Sequence, residues 1–398
     1  MQTRFVATTT ETRGRVVRAI ARFGLLAALA LLAGCGGRSE ESLLVVERPA
    51  GGAPPVDMMV VTTRECVPDP GRLFNGERGN TIVNTELKVS IPPVERKPGE
   101  VIWPTHTPPD PAREFAVVDR RDHTPESARN WFRAQGTGRA LIFVHGFNTR
   151  YDDAVFRFAQ FVRDSGTTFT PVLFTWPSRG KLVAYNYDRE STNYSRDAFE
   201  ALLTSAAADP SVKEISILAH SMGTWLTMET LRQMAIRDGR LPAKLHDVIL
   251  ASPDIDGDVF QRQLARIPQP RPRISLFVSR DDRALDVSRL IAGDVDRVGQ
   301  IDPSVEPWKS MPTKENVHPF DLTATDSVDR LRHGRFADGD IARMIGLKLI
   351  AGQSISDQRI GLGERVGGMV SGTLGAVGST AGAVVAAPLS VIDAGASR

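Results

Sequence analysis

The sequence predicts an α/β domain with a mostly parallel central sheet and helices on both faces. Three observations lead there. From residue 140 onward, short apolar runs of strand length alternate with segments of helical spacing. Those runs are nearly continuous in apolar residues, as strands buried on both faces require. Upstream, Leu87-Lys88-Val89-Ser90-Ile91 alternates apolar with polar residues and is stopped by Pro92-Pro93, the pattern of a strand with one wet face.

In chain order, the strands expected are Met58 to Val61, Leu87 to Ile91, Ala140 to Val144, Val172 to Trp176, Ile215 to Ala219, Val248 to Ala251, Ile274 to Val278 and one near Phe320 to Thr323. Between Ala140 to Val144 and Val172 to Trp176, either Asp152 or Asp153 can cap a helix whose Val155, Phe158, Ala159 and Val162 share one face, and Gly166 can end it. That is one β-α-β unit. A last helix is expected from about Asp338 to Leu349, burying Ile341, Met344, Ile345 and Leu349.

A chain of 398 residues accommodates one large catalytic domain plus tails. The net charge is +2, with Arg13, Arg15, Arg18 and Arg22 close to the amino terminus, so no nucleic-acid surface is implied. After these arginines comes an apolar run, Leu25 to Ala33, too short to span a bilayer comfortably. Leu32-Ala33-Gly34-Cys35 resembles the lipobox of bacterial lipoproteins, in which the cysteine is diacylated through sulfur. The resemblance implies a signal peptide over 1–34, a membrane anchor at Cys35, and a place in the cell envelope. With Gly36 in the next position, where an Asp would alter sorting, the expected site is the outer membrane facing the periplasm.

Residues 35–57 read as a lipidated tether, 58–350 as the catalytic domain, and 351–398 as a Gly/Ala-rich tail. From Val366 to Ile392 there is no charged residue, and Gly368/Gly372 and Gly378/Gly382 are spaced four apart. A membrane-associating helix packed through small faces and a flexible low-complexity tail both fit this composition. The second of the two cysteines, Cys66, has no thiol partner and reads as inert.

The strongest chemical signal is Ile217-Leu218-Ala219-His220-Ser221-Met222-Gly223, lying between an expected strand and an expected helix. That is the context of a nucleophile elbow, with Ser221 as nucleophile and Ala219, a methyl larger than glycine, two residues before it. Read without chemistry, Ser221 is a helix N-cap. Upstream, Phe143-Val144-His145-Gly146-Phe147-Asn148 ends another strand. Acyl transfer develops an oxyanion, which needs backbone N–H groups already aimed at it. The amides of Met222 and Phe147 are the candidates, with Gly146 permitting close approach and His145 bracing the loop. No Gly-rich phosphate loop, cysteine cluster or His-x-x-x-His pair occurs, so neither a metal nor a cofactor is indicated.

Taken together, these stretches resemble the α/β-hydrolases, specifically a bacterial esterase/lipase-like branch of unassigned substrate. The match runs through Val89-Ser90-Ile91-Pro92, Val144-His145-Gly146-Phe147-Asn148-Thr149, Phe174-Thr175-Trp176-Pro177-Ser178, Ala219-His220-Ser221-Met222-Gly223, Ser252-Pro253-Asp254-Ile255-Asp256 and Ser279-Arg280-Asp281-Asp282-Arg283-Ala284-Leu285, in that order. It implies the α/β-hydrolase fold and a triad in the chain order Ser, acid, His. Asp282 matches the acid of the Asp-x-Ala-Leu segment; Asp281 is its adjacent rival, and Asp254 a further one. Of seven histidines, only His318 and His333 follow these acids, and His333 falls where the histidine loop belongs. The function implied is a serine hydrolase, carboxylesterase or lipase in type, acting on a small-molecule or lipid ester. The competing reading is a hydrolase scaffold without activity, kept for binding at the envelope.

Overall fold

The structure is a computed structural model that describes residues 38–49, 52–327 and 329–350. The signal peptide, Cys35 and the tail from residue 351 lie outside the described residues.

Among the described residues, nine strands form one sheet in the order β3-β2-β1-β5-β4-β6-β7-β8-β9. β1 (Val56–Cys66), β2 (Phe74–Ser90) and β3 (Ala116–His123) are antiparallel neighbours. β4 (Arg139–Val144), β5 (Thr170–Thr175), β6 (Glu214–His220), β7 (Leu245–Ala251), β8 (Arg273–Val278) and β9 (Val317–Asp321) are parallel, and β1 joins them by pairing parallel with β5. Each of the six later strands falls within three residues of its expected place. Their apolar runs are legible because both faces are covered. Along β4, Leu141 and Phe143 enter one core cluster and Ile142 and Val144 the other, as the two-residue period of a strand dictates.

The first face carries α2 (Tyr151–Ser165) and α8 (Gly339–Ile350); the second carries α3 (Tyr185–Ala208), α4 (Met222–Asp238) and α5 (Gly257–Leu264). The expected stripe of α8 is buried, with Ile345 fully so. Gly166 ends α2 at φ 63° as foreseen. The cap differs from expectation. Arg150 is the N-cap residue, and Asp153 accepts its backbone N–H at 3.1 Å. Two shorter helices, α6 (Arg283–Ile291) and α7 (Met311–Glu315), follow β8, and α1 (Pro125–Ala134) precedes β4.

The amino-terminal boundary also differs. Residues 38–49, expected as tether, are packed on the domain: Leu43 is buried in the core, its N–H donates to Gly71 O at 2.9 Å, and Ser42 donates to Asp152 at 2.9 Å. Val46 N–H also donates to Val117 O at 2.9 Å, and Arg38 pairs with Asp153, so a short segment that shows no periodicity of its own is held mainly by such tertiary bonds.

Candidate active site

β6 ends at His220 and α4 starts at Met222, leaving Ser221 in the bend between them with φ 51° and ψ −124°. Such a conformation is costly for any residue with a side chain and persists only where the surroundings enforce it. Here Ser221 N–H donates to Ala251 O at 2.9 Å, and Thr224 bonds back to Ser221 O through its N–H at 3.0 Å and its hydroxyl at 2.5 Å. The Ser221 side chain itself makes no capping bond. The close packing of the elbow explains Gly223. A Cβ there would sit 2.4 Å from His145 O and 2.7 Å from Val144 O, both backbone atoms that cannot yield. Gly146 faces the serine just as closely, since its Cβ would lie 2.8 Å from Ser221 Cβ.

The structure brings His333 and Asp282 together. His333 Nδ1 lies 2.7 Å from Asp282 Oδ2, so Nδ1–H donates and Nε2 keeps its lone pair. Asp282 performs two tasks with its two oxygens. Oδ1 caps α6, accepting the N–H groups of Ala284 at 3.0 Å and Leu285 at 3.1 Å, and Oδ2 holds the imidazole. Burial pushes the His333 imidazole down, but the Asp282 carboxylate outweighs it, and the net shift is above the ordinary histidine value.

The loop carrying His333 is clamped from several sides. His333 O accepts from Ser252 Oγ at 2.9 Å and from His220 Nε2–H at 3.1 Å, while His333 N–H donates to Asp329 at 2.9 Å. The His220 and His333 ring centroids are 4.6 Å apart, so the imidazole lies against the residue that immediately precedes Ser221. Burial, and then the neighbouring His333, hold His220 well below the ordinary value, so it is neutral at pH 7. Among the described residues, seven non-glycine residues have φ in the left-handed region, and four of them, Asn148, Ser221, Ser252 and Arg332, lie in or beside this site. Strain concentrates where groups must be held off their relaxed geometry.

The rival acids are engaged elsewhere. Asp281 accepts from Ser279 Oγ at 2.7 Å and pairs with Arg335 at 2.5 Å and with Arg332, contacts that hold its carboxyl well below the usual range. Asp254 accepts from Tyr185 at 3.1 Å and Ser288 at 2.5 Å, and lies 3.3 Å from Arg297. His318 is on the edge strand β9, bonded to Asn316 at 3.1 Å.

Met222 is the first residue of α4, so its N–H has no carbonyl one turn back to receive it. Phe147 is the third residue after β4, and its amide has no acceptor among the described residues. His145 explains how that amide is held. Its Nε2 accepts Trp176 N–H at 3.1 Å, which leaves Nδ1–H to hold Gly146 O at 2.9 Å and thereby fixes the plane of the Gly146–Phe147 peptide. Burial, and then Arg64, keep the His145 imidazole far below its ordinary pKa, so it braces and does not exchange a proton.

The family now follows. Residues 124–350 match the family described as alpha/beta hydrolase of unknown function (DUF900). The chain belongs to this family of α/β hydrolases. Over 76 residues it is 33% identical to the uncharacterized protein alr1448 of Nostoc sp. (strain PCC 7120 / SAG 25.82 / UTEX 2576), covering 19% of this chain and 20% of that protein. The chain therefore matches about a fifth of that relative's length. Among solved structures, it is similar to a lipase-esterase related protein from Clostridium acetobutylicum at 11% identity and a TM-score of 0.30, covering 55% of this chain and 95% of that one. It is also similar to an esterase from Pyrobaculum calidifontis at 12% identity and a TM-score of 0.30, covering 76% of this chain and 86% of that one.

Two buried charged residues, Arg64 and Asp188, support the loop that follows β4. Arg64, in β1, is fully enclosed, and burial pushes its guanidinium down to about 10. It donates to Thr175 Oγ1, Ser178 O and Thr149 O at 2.8 Å each. Asp188 accepts from Ser178 at 2.5 Å, Arg179 N–H at 3.0 Å and Asn148 N–H at 3.3 Å. For Arg64 the only sequence signal was a charged residue in a mostly apolar strand, and Asp188 stands in a polar stretch of α3.

Proposed function

We propose that this α/β hydrolase is a serine esterase. Ser221 is the nucleophile, His333 the general base, and Asp282 the group that fixes the imidazole. The observation that carries this reading is the 2.7 Å Asp282–His333 pair, set against the residue next to a strained serine. His333 Nε2 takes the Ser221 proton as Oγ attacks the ester carbonyl, and the amides of Phe147 and Met222 receive the developing negative charge. The imidazolium then protonates the departing alcohol. Water repeats the sequence on the acyl-enzyme and frees Ser221. Ser221 Oγ has no hydrogen bond to the imidazole among the described residues, and in unliganded sites that bond commonly tightens only when substrate binds.

Turnover of short-chain p-nitrophenyl esters by the full chain tests this, read as a pH profile. The base works only when neutral, so kcat/KM rises with pH through the His333 pKa. Because Asp282 raises that pKa, the midpoint is expected above the ordinary value of about 6.5. A profile flat from pH 5 to 8 would rule out His333 as base. Linkage gives the matching stability term. A raised histidine contributes stability that is complete below about pH 6.5 and is lost as pH climbs through the folded value.

The proposal extends to the envelope. Cys35, as the lipidated residue, stands three residues before Arg38, which lines the cavity beside His333. Three residues span at most about 10 Å, so an anchor at Cys35 keeps Arg38 close to the bilayer surface. Metabolic labelling with palmitate should mark the full chain and vanish in Cys35→Ser; labelling that survives this change contradicts the anchor.

A further inference from the structure

The cavity beside His333, about 430 Å³, contains a charge that ester cleavage alone does not call for. Its wall on the α2 side is formed by Ala154, Arg157 and Phe161, neighbours at helical spacing. Gly146, His220 and His333 bring the reaction centre to the same space. The Arg157 guanidinium has five N–H donors, yet among the described residues it makes neither a hydrogen bond nor an ion pair. Its one close partner is the indole of Trp103, with the ring centroid 5.5 Å away.

A second guanidinium shares that indole. Arg38 lies 3.7 Å from the same ring centroid, and it is neutralised by Asp153 at 2.7 Å. Arg157 thus sits near a like charge with no carboxylate in contact. Desolvation is the largest influence on its pKa and lowers it; Asp153 and Asp329, and more weakly Asp338, which also line the cavity, oppose that, while Arg38 lowers it further. Asp329, the acid lining the cavity nearest to His333 in sequence, is already used by the N–H groups of Leu331, His333 and Gly334 at 3.0, 2.9 and 3.0 Å. A planar fork of donors with no protein partner among the described residues, exposed on the cavity wall beside a nucleophile, matches the geometry of a carboxylate or phosphate.

We propose that Arg157, with Arg38 at the cavity mouth, binds an anionic group on the substrate, so that the ester this protein cleaves carries a carboxylate or a phosphate. The inference rests on the serine-esterase reading for the reaction and on the cavity alone for the binding. The acyl-side arm compares mono-p-nitrophenyl glutarate with p-nitrophenyl valerate, and the alcohol-side arm compares 1-butyrylglycerol 3-phosphate with 1-butyrylglycerol. In at least one pair the wild type should favour the anionic ester. Arg157→Met should lower the anionic-to-neutral ratio of kcat/KM about ten- to hundredfold in that pair, as loss of a charge-assisted bond predicts. The fall should come chiefly through KM, and Arg157→Lys should recover part of it. The pair that responds identifies the side of the ester bearing the charge.

Binding is read separately by calorimetry of glutarate and inorganic phosphate on the full-length Ser221→Ala chain, with and without Arg157→Met. Loss of binding in Arg157→Met supports the anion site; if the wild-type chain then cleaves none of the four esters, the anion site stands while the serine-esterase reading ends. Equal turnover of charged and neutral esters together with no anion binding overturns the anion site and leaves the serine chemistry standing. An anionic preference unchanged in both Arg157 variants also overturns it.

Discussion

Replacement of Ser221 by alanine is expected to lower kcat for any ester substrate by about 10⁴- to 10⁶-fold. The size follows from the division of labour in the site. Without Oγ there is no covalent intermediate, and the oxyanion donors and the bound water can supply only the residual acceleration. The stability change should be small, because the Ser221 hydroxyl caps nothing and the bonds that hold the elbow run through its backbone N–H and C=O. Alanine keeps the Cβ and the same strained φ, so thermal unfolding should stay within about 0.5 kcal/mol of wild type, as for a substitution that breaks no structural contact. This separates a nucleophile from a helix cap, since losing a true N-cap costs about 1 kcal/mol and no chemistry.

The second large effect concerns the two oxygens of Asp282. Asp282→Asn keeps an oxygen for the α6 cap but presents an amide N–H₂ to His333 Nδ1, which then carries its proton on the wrong nitrogen. Turnover is expected to fall by about 10⁴-fold with little loss of stability. Asp282→Ala should lose comparable activity and also the cap, at about 1 kcal/mol. The difference between the two variants in denaturant unfolding therefore reads the cap, and their shared loss of turnover reads the imidazole. An Asp282→Asn protein with near-normal kcat would remove Asp282 from the chemistry. Its neighbour Asp281 would not then inherit the role, since Arg332 and Arg335 hold both of its oxygens.

Much of this arrangement was legible in the sequence, for identifiable reasons. Strands β4 to β8 are buried on both faces, and that condition writes itself as nearly continuous apolar runs. Ser221 was legible from small residues on either side of it, and Gly223 shows why: a side chain there collides with the backbone of β4 and its loop. His333 was legible because few histidines follow the acids. What escaped was whatever depends on tertiary contact. β3, Ala116-Val117-Val118-Asp119-Arg120-Arg121-Asp122-His123, is half polar because it lies at the edge of the sheet. The first part of β2 is likewise only half-buried, with Asn80, Thr81 and Ile82 exposed. Residues 38–49 carry no pattern, and only Leu43 and a few hydrogen bonds place them.

The adjacent carboxylates illustrate the limit best. Asp281 and Asp282 are chemically identical and one residue apart, so no propensity or spacing tells them apart. The fold separates them by giving one to two arginines and the other to a helix terminus and an imidazole. Buried charge is similarly silent in sequence. Nothing in the residues around Arg64 or Asp188 shows that each is buried, because such side chains are almost never fully buried unless paired. Each bonds to the loop that follows β4.

The central claim is that Ser221 is the atom-donating nucleophile, and the most direct measurement is the position of a covalent adduct. The full chain, treated with a fluorophosphonate and digested, should show a single modified residue by peptide mass spectrometry. The account predicts that this residue is Ser221, with labelling lost in His333→Ala and slowed at acid pH as the imidazole becomes charged. Modification at another serine, or ester turnover that persists in a protein that takes up no label, would contradict it.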